Sequence, residues 1–236
     1  MTRRLFGLAL ALGLAALPVL AADKDERADK MEALKALNDY VGDWNGTGGP
    51  PRAKPGSTDL WTEKVSWAWR FKGDDVWLVM KIKDGKYFKG GEMRYLPDKK
   101  KYELTLTDVK DNKQVYQGDI KHEVLTLECV DADTKDTYRL TMNLAGDGVR
   151  LIYKAAKKSA GKTLYVPQYE VACNKVGESL GAKEKKNVCV VSGGLGTSTV
   201  SYKGQTYYVC CSGCRDAFNE NPEKFIKEFE AKKNKK

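Results

Sequence analysis

The fold of the C-terminal part depends on Cys189-Val-Val-Ser-Gly-Gly, followed after a short polar segment by Val-Cys210-Cys-Ser-Gly-Cys214. This stretch holds four of the six cysteines of this 236-residue chain. Cys210 should close a strand and Cys214 should lie one turn into the following helix, so that both sulfurs share one side. Residues 202–209 predict a hairpin with Lys203-Gly204 at its turn, which would return the chain to Cys189. The spacing therefore predicts that the three sulfurs converge.

This stretch resembles the YHS domain, a relative of the TRASH and treble-clef metal-binding modules. Besides the cysteines, the resemblance rests on Tyr202-Lys203-Gly204, Tyr207-Tyr208, Phe218 and Pro222-Glu-Lys-Phe225. It implies that Cys189, Cys210 and Cys214 are metal ligands. Relatives with four cysteines carry a Cys-x2-Cys knuckle, and Ser192 takes its second position in this chain. Three thiolates suit Cu(I), or a Zn(II) ion whose fourth ligand is water or another side chain.

Other roles for these cysteines are open at this point. In an oxidising compartment the cysteines of a small module commonly pair, so the module could be stapled by disulfides. Cys211 follows Cys210 directly and on a helix would point about 100 degrees away from it. Cys211 could then be a buried thiol, a fourth ligand after local distortion, or a disulfide partner of Cys173.

Residues 1–21 predict a secretory signal peptide. Two arginines precede an apolar run from Leu5 to Leu20, and Val19-Leu20-Ala21 forms a small-residue cleavage site. The run is shorter than the roughly 18 residues of a membrane-spanning helix, and Pro18 interrupts it. We therefore expect an exported protein, periplasmic or extracellular, without stable membrane insertion after cleavage.

The basic excess of the chain does not identify a partner. The formal net charge is +9 at pH 7, and part of it lies in the tail 232–236, which we expect to be a frayed, solvated end. We recognise no nucleic-acid-binding motif, so we expect no nucleic acid partner. Any protein partner is unknown from the sequence.

Residues 22–172 predict a helix followed by an antiparallel barrel. Met31, Leu34, Leu37 and Val41 recur at helical spacing, and the helix should break at Gly42. Short alternating segments then follow about ten residues apart, separated by polar turns such as Asp84-Gly85. The expected strands lie at 65–71, 76–82, 87–95, 102–106, 115–120, 124–130, 138–144, 149–155 and 164–171, after a first strand near Trp44.

The segment Tyr40-Val-Gly-Asp-Trp44-Asn-Gly-Thr-Gly48 resembles the start of calycin barrels, the group of lipocalins and nitrobindin-like proteins. The fold class is thus mainly β: a calycin-like antiparallel barrel with an N-terminal helix, plus a small α+β treble-clef-like cysteine module. The expected divisions are a signal peptide at 1–21, the helix and barrel at 22–172, a linker at 173–187, the YHS-like module at 188–231 and the basic tail. The lysine-rich linker leads us to expect few contacts between barrel and module.

Two features of the barrel bear on a possible ligand. Trp61, Trp67, Trp69 and Trp77 could line a cavity for a small apolar molecule, or could simply form the core. The only histidine, His122, lies in a polar turn, where we expect a surface role rather than haem ligation.

Two cysteines lie outside the module. Cys129 alternates with Leu125 and Leu127, so it should face the core as a small apolar side chain. Cys173 should follow the last barrel strand.

The sequence shows no catalytic constellation, and we expect no enzyme. With a single histidine, the sequence offers no Ser-His-Asp order to examine. The glycines at 193–196 precede no predicted helix, whereas the glycines of a phosphate-binding loop are followed by one. The sequence predicts a secreted or periplasmic protein that binds Cu(I) or Zn(II), acting in sequestration, delivery or sensing. The alternatives are a barrel that carries a small apolar ligand beside a disulfide-stapled module, and a thiol redox protein that uses Cys211.

Overall fold

The computed structural model of the protein describes residues 19–54, 56–178 and 187–233. Most of the predicted signal peptide (1–18), most of the predicted linker (179–186) and the end of the basic tail (234–236) lie outside the described residues. The described part is mainly β, as the sequence predicted, with a short N-terminal helix and a small C-terminal α+β region. None of its helices has the length and apolar character needed to cross a membrane.

Ten antiparallel strands close into a barrel in which sequence neighbours pair and the last strand pairs with the first. This up-and-down order is consistent with the calycin-like fold that the sequence indicated. The strands are β1 (Gly42–Gly49), β2 (Trp61–Lys72), β3 (Asp75–Lys83), β4 (Phe88–Leu96), β5 (Lys101–Asp108), β6 (Lys113–Lys121), β7 (Val124–Val130), β8 (Thr137–Ala145), β9 (Arg150–Lys158) and β10 (Val166–Lys175).

Large side chains fill the barrel interior. The strands alternate between buried and more exposed positions, as expected for a sheet with one face in the core. Trp67 and Trp69 belong to this core, whereas Trp61 is half-buried. Trp77 lies on the opposite face of β3 from the core residues, under the guanidinium of Arg94 at 4.5 Å from the ring centroid. The four tryptophans therefore do not line one common cavity.

The predicted amphipathic helix exists, and its last part is a 3₁₀ helix. The α-helix α1 (Val19–Leu34) continues as a 3₁₀ helix (Lys35–Tyr40) that buries Leu37 and Tyr40. The Trp44 Nε1–H group donates a 2.8 Å hydrogen bond to the Tyr40 carbonyl, which ties the end of this helix to the start of β1. One face of the N-terminal segment, with Leu34, Leu37 and Tyr40, thus belongs to the buried core.

The last barrel strand is longer than the sequence predicted. β10 ends at Lys175, so Cys173 lies within the strand, and the prediction that Cys173 follows it is wrong. Cys173 packs against Gly46 of β1, where a Cβ atom would lie 2.8 Å from its sulfur. The apolar alternation is interrupted at Lys175, whose ammonium is buried and donates to the Asp39 carbonyl at 3.2 Å. Because a lysine rather than an apolar residue takes this inward position, the alternation pattern predicted that the strand ends too early.

The C-terminal module contains the expected hairpin and two helices, β11 (Ser198–Tyr202), β12 (Gln205–Val209), α2 (Ser212–Glu220) and α3 (Pro222–Lys233). Tyr202 pairs with Gln205, and Lys203 and Gly204 between them have φ angles of 48° and 78°. These positive angles are those of a two-residue type I′ turn, so the hairpin prediction is confirmed. Because α3 extends to Lys233, the predicted basic tail begins within a helix.

The module packs directly against the barrel, so the expectation of few contacts is wrong. β1 begins at Gly42, opposite Trp67, and Trp69 of β2 lies two residues beyond this end of β1. The start of α2 lies against the part of β2 that β1 leaves unpaired. A Cβ atom on Gly213 would lie only 1.7 Å from the Trp69 carbonyl oxygen. One buried cluster runs through barrel and module. The lysine content of a linker says little about how the parts on either side pack.

Candidate metal centre

Three cysteine sulfurs meet in the interior of the module. Cys189, Cys210 and Cys214 are 0%, 6% and 0% exposed, and their Sγ atoms all lie within 4.8 Å of one another. The Sγ atoms of Cys210 and Cys214 are 3.5 Å apart. The structure therefore brings together the three cysteines that the sequence singled out, while their role as ligands stays a prediction.

A tight turn holds Cys189 in place. Its N–H donates to the Gly194 carbonyl at 2.7 Å, and its carbonyl accepts from the Gly193 N–H at 2.9 Å. Gly193 has a φ angle of 78°, a left-handed conformation that glycine adopts without steric cost. A hydrogen bond of 2.8 Å from the Val190 N–H to the Tyr208 carbonyl fixes this knuckle beside β12. The hairpin thereby returns the chain to Cys189, as its turn residues indicated.

Cys210 and Cys214 flank the beginning of α2. Cys210 follows the last residue of β12, and Cys214 lies in the first turn of the helix. Cys211 between them is the N-cap residue, with φ −161° and ψ 172°. Its backbone is extended rather than helical, so the predicted 100-degree rotation away from Cys210 does not apply. The Cys211 sulfur lies 3.9 Å from that of Cys210.

Ser192 occupies the place of a fourth knuckle ligand. Its side chain is 1% exposed, and its Oγ lies 3.3 Å from the Cys210 sulfur. Its backbone N–H donates to the Cys189 sulfur at 3.4 Å. Ser192 thus makes hydrogen bonds with two of the three sulfurs, where a four-cysteine module would supply a fourth sulfur.

The spacing of the sulfurs fits a metal ion. A metal–sulfur bond of about 2.3 Å places sulfurs about 3.8 Å apart in a tetrahedral site and about 4.0 Å apart in a trigonal one. The separations observed here, 3.5 Å for one pair and at most 4.8 Å for the others, lie around these values. A set of three sulfurs is chemically soft, and soft ligands select Cu(I) and Zn(II). The cysteine cluster could therefore hold a metal ion.

Hydrogen bonding distributes the charge unevenly within the cluster. Donation from the thiols of Cys210 and Cys214, and from Ser192, lowers the pKa of Cys189 well below its usual range. The hydrogen bond with Cys189 raises the pKa of Cys210, and burial raises that of Cys214. Hydrogen bonding thus favours the ionised form of Cys189 over those of Cys210 and Cys214. A preformed thiolate is the form that binds metal.

All six cysteines are free thiols in the structure. The proposed pairing of Cys211 with Cys173 is not formed, because the two residues belong to different surroundings. Cys173 lies in the barrel wall beside Glu63, and burial together with this carboxylate raises the pKa of its thiol to about 12. Cys211 instead contacts the backbone of β2 through its sulfur. A thiol with so high a pKa at Cys173 is poorly suited to exchange chemistry.

Two residues that the sequence analysis did not connect with the site tie it to the barrel. The Trp69 N–H donates to the Cys211 sulfur at 3.4 Å, and its Nε1–H donates to Asn38 Oδ1 at 3.2 Å. The Asn38 amide in turn donates to the Ser192 carbonyl at 3.1 Å. The only sequence signal was a polar asparagine next to the apolar face of the N-terminal helix.

A cavity of about 300 Å³ lies where the module meets the outer face of β1, β2 and β3. Cys210, Cys211 and Ser212 line it from the module side. Ser212 is exposed, as are Asp43 and Lys81 on the barrel side, so the cavity is open to solvent. The cluster is therefore buried but has one face directed toward a solvent-accessible space.

The remaining candidate residues of the barrel lie away from this cluster. His122 is exposed in the turn between β6 and β7, as expected. Cys129 is half-buried and packs against the core. Glu63 is 5% exposed, and its carboxylate accepts hydrogen bonds from the Tyr153 hydroxyl and, at 2.9 Å, from Trp61 Nε1. This buried carboxylate has its partners within the barrel wall.

Comparison with known proteins bears on the C-terminal module. A comparison with curated proteins finds no match. Residues 197–228 match the family model of the YHS domain. The matched segment includes Cys210 and Cys214 and begins after Cys189, which the fold brings back to them. The C-terminal part of the chain thus contains a YHS domain, placed on a ten-stranded antiparallel barrel.

Proposed function

We propose that the protein binds one soft metal ion, Cu(I) or Zn(II), through Cys189, Cys210 and Cys214. The observation that carries the proposal is the burial of three sulfurs within 4.8 Å of one another. Binding in sequestration, delivery or sensing, rather than catalysis, is the role that we assign to it. The apolar run and cleavage-type sequence of residues 1–21 support a site of action outside the cytoplasm.

Each residue of the cluster has a distinct part in binding. Cys189 offers a thiolate, and the Ser192 N–H, together with the tight turn, directs this sulfur toward the other two. Cys210 and Cys214 lose their protons as the ion binds, so binding releases protons. Burial limits the access of water to the sulfurs, which slows the oxidation of bound Cu(I). The site therefore favours a three-coordinate ion, or a zinc ion completed by one further oxygen ligand.

A carrier role for the barrel has weaker support. Trp44, Trp67 and Trp69 are at most 2% exposed and fill the interior together with leucine side chains of β3, β5 and β7. A core filled in this way resembles an ordinary packed interior. We therefore assign the binding function to the module, with the barrel as its support.

The first prediction tests the three ligands. Reduced, metal-free protein titrated with Cu(I) and with Zn(II) under competition by a chelator should take up one equivalent. Cys189→Ser, Cys210→Ser and Cys214→Ser should each lower the affinity by orders of magnitude, because the binding energy depends on all three thiolates. Cys129→Ser is the matched control, since Cys129 lies in the barrel. Absence of uptake by the reduced wild type, or an equal loss in the control, contradicts the proposal.

A further inference from the structure

Cys211 differs from the three clustered cysteines in its access to solvent. It is half-buried, whereas the others are 0–6% exposed. It lines the open cavity beside Cys210, while Cys189 and Cys214 do not. Its sulfur lies outside the group of three but only 3.9 Å from that of Cys210. Cys211 therefore places a sulfur at the boundary between the cavity and the buried cluster.

The surroundings of this cavity are basic. A second cavity of about 500 Å³ adjoins it along β1, β2 and β3, and the two share Asp43, Ser66 and Lys81. The charged residues that line them are four basic and one acidic: Arg70, Lys64, Lys81, Lys83 and Asp43. We name these two cavities together the basic groove.

The lysines of the basic groove are available to a ligand. Among the ion pairs within the described residues, none involves Lys64, Lys81 or Lys83. A groove whose charged lining is mainly of one sign raises the local concentration of ligands of the other sign. Its volume lies in the range of small-molecule sites. The groove thus suits a small anion that can approach Cys211.

We propose that the buried site exchanges its metal ion with a small anionic thiol that binds in the basic groove, and that Cys211 is the first protein ligand on this route. The inference rests on the metal-binding function proposed above. It assigns to the groove a ligand class, a carboxylate-bearing thiol, and to Cys211 a role separate from holding the ion.

The exchange needs no change of oxidation state. The Cys211 sulfur forms a bond to the ion, and one metal–thiolate bond of the carrier breaks. The ion then passes to Cys210, 3.9 Å away, and on to the three buried sulfurs. The carrier leaves as a thiolate or takes up a proton from solvent, and Cys210 and Cys214 release their protons to solvent as the ion reaches them. The Trp69 N–H keeps the Cys211 sulfur in position for this passage.

The test compares rates of Cu(I) transfer with equilibrium affinities. Cu(I) is supplied as its complex with mercaptosuccinate, which is anionic, 2-mercaptoethanol, which is neutral, or cysteamine, which is cationic. Transfer to the wild type should be fastest from mercaptosuccinate, and added salt should reduce this advantage. Cys211→Ser should slow transfer from all three by at least about tenfold, and leave the Cu(I) affinity nearly unchanged, because Cys211 does not hold the resident ion.

Two further variants separate the groove from the sulfur. Lys81→Glu should slow transfer from mercaptosuccinate alone, and Lys99→Glu, the same charge change in the exposed turn between β4 and β5, should not. Ala68→Phe keeps every sulfur but fills part of the cavity, so it should slow transfer from all three thiols. This variant also tests the route if Cys211→Ser does not fold.

The outcomes distinguish this inference from the proposed function. Unchanged rates in Cys211→Ser and Ala68→Phe overturn the route. A loss of affinity in Cys211→Ser as large as in the three ligand variants makes Cys211 a resident ligand and also overturns it. Equal rates from the three thiols overturn the anionic carrier. A wild type that takes up no Cu(I) even from a chelator-buffered solution refutes the metal-binding function itself.

Discussion

At the scale of single residues, Ser192 bears on which metal the proposed site would prefer. Its Oγ lies 3.3 Å from the Cys210 sulfur, at the place where a four-cysteine knuckle has its second sulfur. A closed set of four sulfurs is the usual structural zinc site, whereas three suit Cu(I). One side chain therefore separates the two coordination types.

Replacing this serine should change the selectivity. We expect Ser192→Cys to raise the Zn(II) affinity by at least about tenfold and to change the Cu(I) affinity less, because a fourth thiolate completes a tetrahedron. Competition titration with a chromophoric chelator measures both affinities. Ser192→Ala is the control, since it removes the hydroxyl and adds no ligand. Equal Zn(II) affinities in the two variants would show that position 192 does not face the ion.

The contacts of the site could be predicted where the residues lie close together in the sequence. Cys210 and Cys214 belong to one strand–helix junction, and their sulfurs were expected to meet. Cys211 was misjudged because its backbone is extended at the N-cap, which spacing alone does not reveal. Asn38 lies 154 positions from Ser192, and a contact over such a distance leaves no pattern in a single sequence.

At the scale of elements, the junction of α2 with β2 determines where the cysteine cluster lies. Gly213 is buried at this junction, with the Trp69 carbonyl where its Cβ would be. The barrel strands were predicted from alternation with nearly correct limits. The junction of α2 with β2 was not predicted, because it depends on how far β1 extends rather than on any local propensity.

A methyl group at the junction should therefore separate the two elements. We expect Gly213→Ala to lower the free energy of unfolding by about 1–3 kcal/mol or more, since the closest atom belongs to the backbone and cannot move aside as a side chain can. It should also weaken metal binding, because α2 carries Cys214. Urea unfolding and Cu(I) titration measure the two effects. Ser212→Ala, one residue earlier and exposed, should leave both within experimental error.

At the scale of the whole molecule, barrel and module form one packed body. The buried cluster includes Trp69 and Leu78 of the barrel together with Cys189, Phe218 and Phe225 of the module. Asn38 and Trp69 connect the cysteine turn to the barrel by hydrogen bonds. The sequence predicted both parts separately, but composition of the connecting segment carried no information on their contact. A ligand of the module should consequently affect the stability of the barrel.

Metal binding should stabilise the complete protein in one transition. At a free metal concentration of 100 times Kd, an ion that binds only the folded state adds about 2.7 kcal/mol to the free energy of unfolding. Because the two parts share a core, far-UV circular dichroism, which reports the barrel strands, and tryptophan fluorescence should shift to higher temperature together. Cys189→Ser should show no shift with metal. If unfolding shows two separate transitions, and metal raises the midpoint temperature only of the one with the smaller amplitude, the barrel unfolds independently of the module.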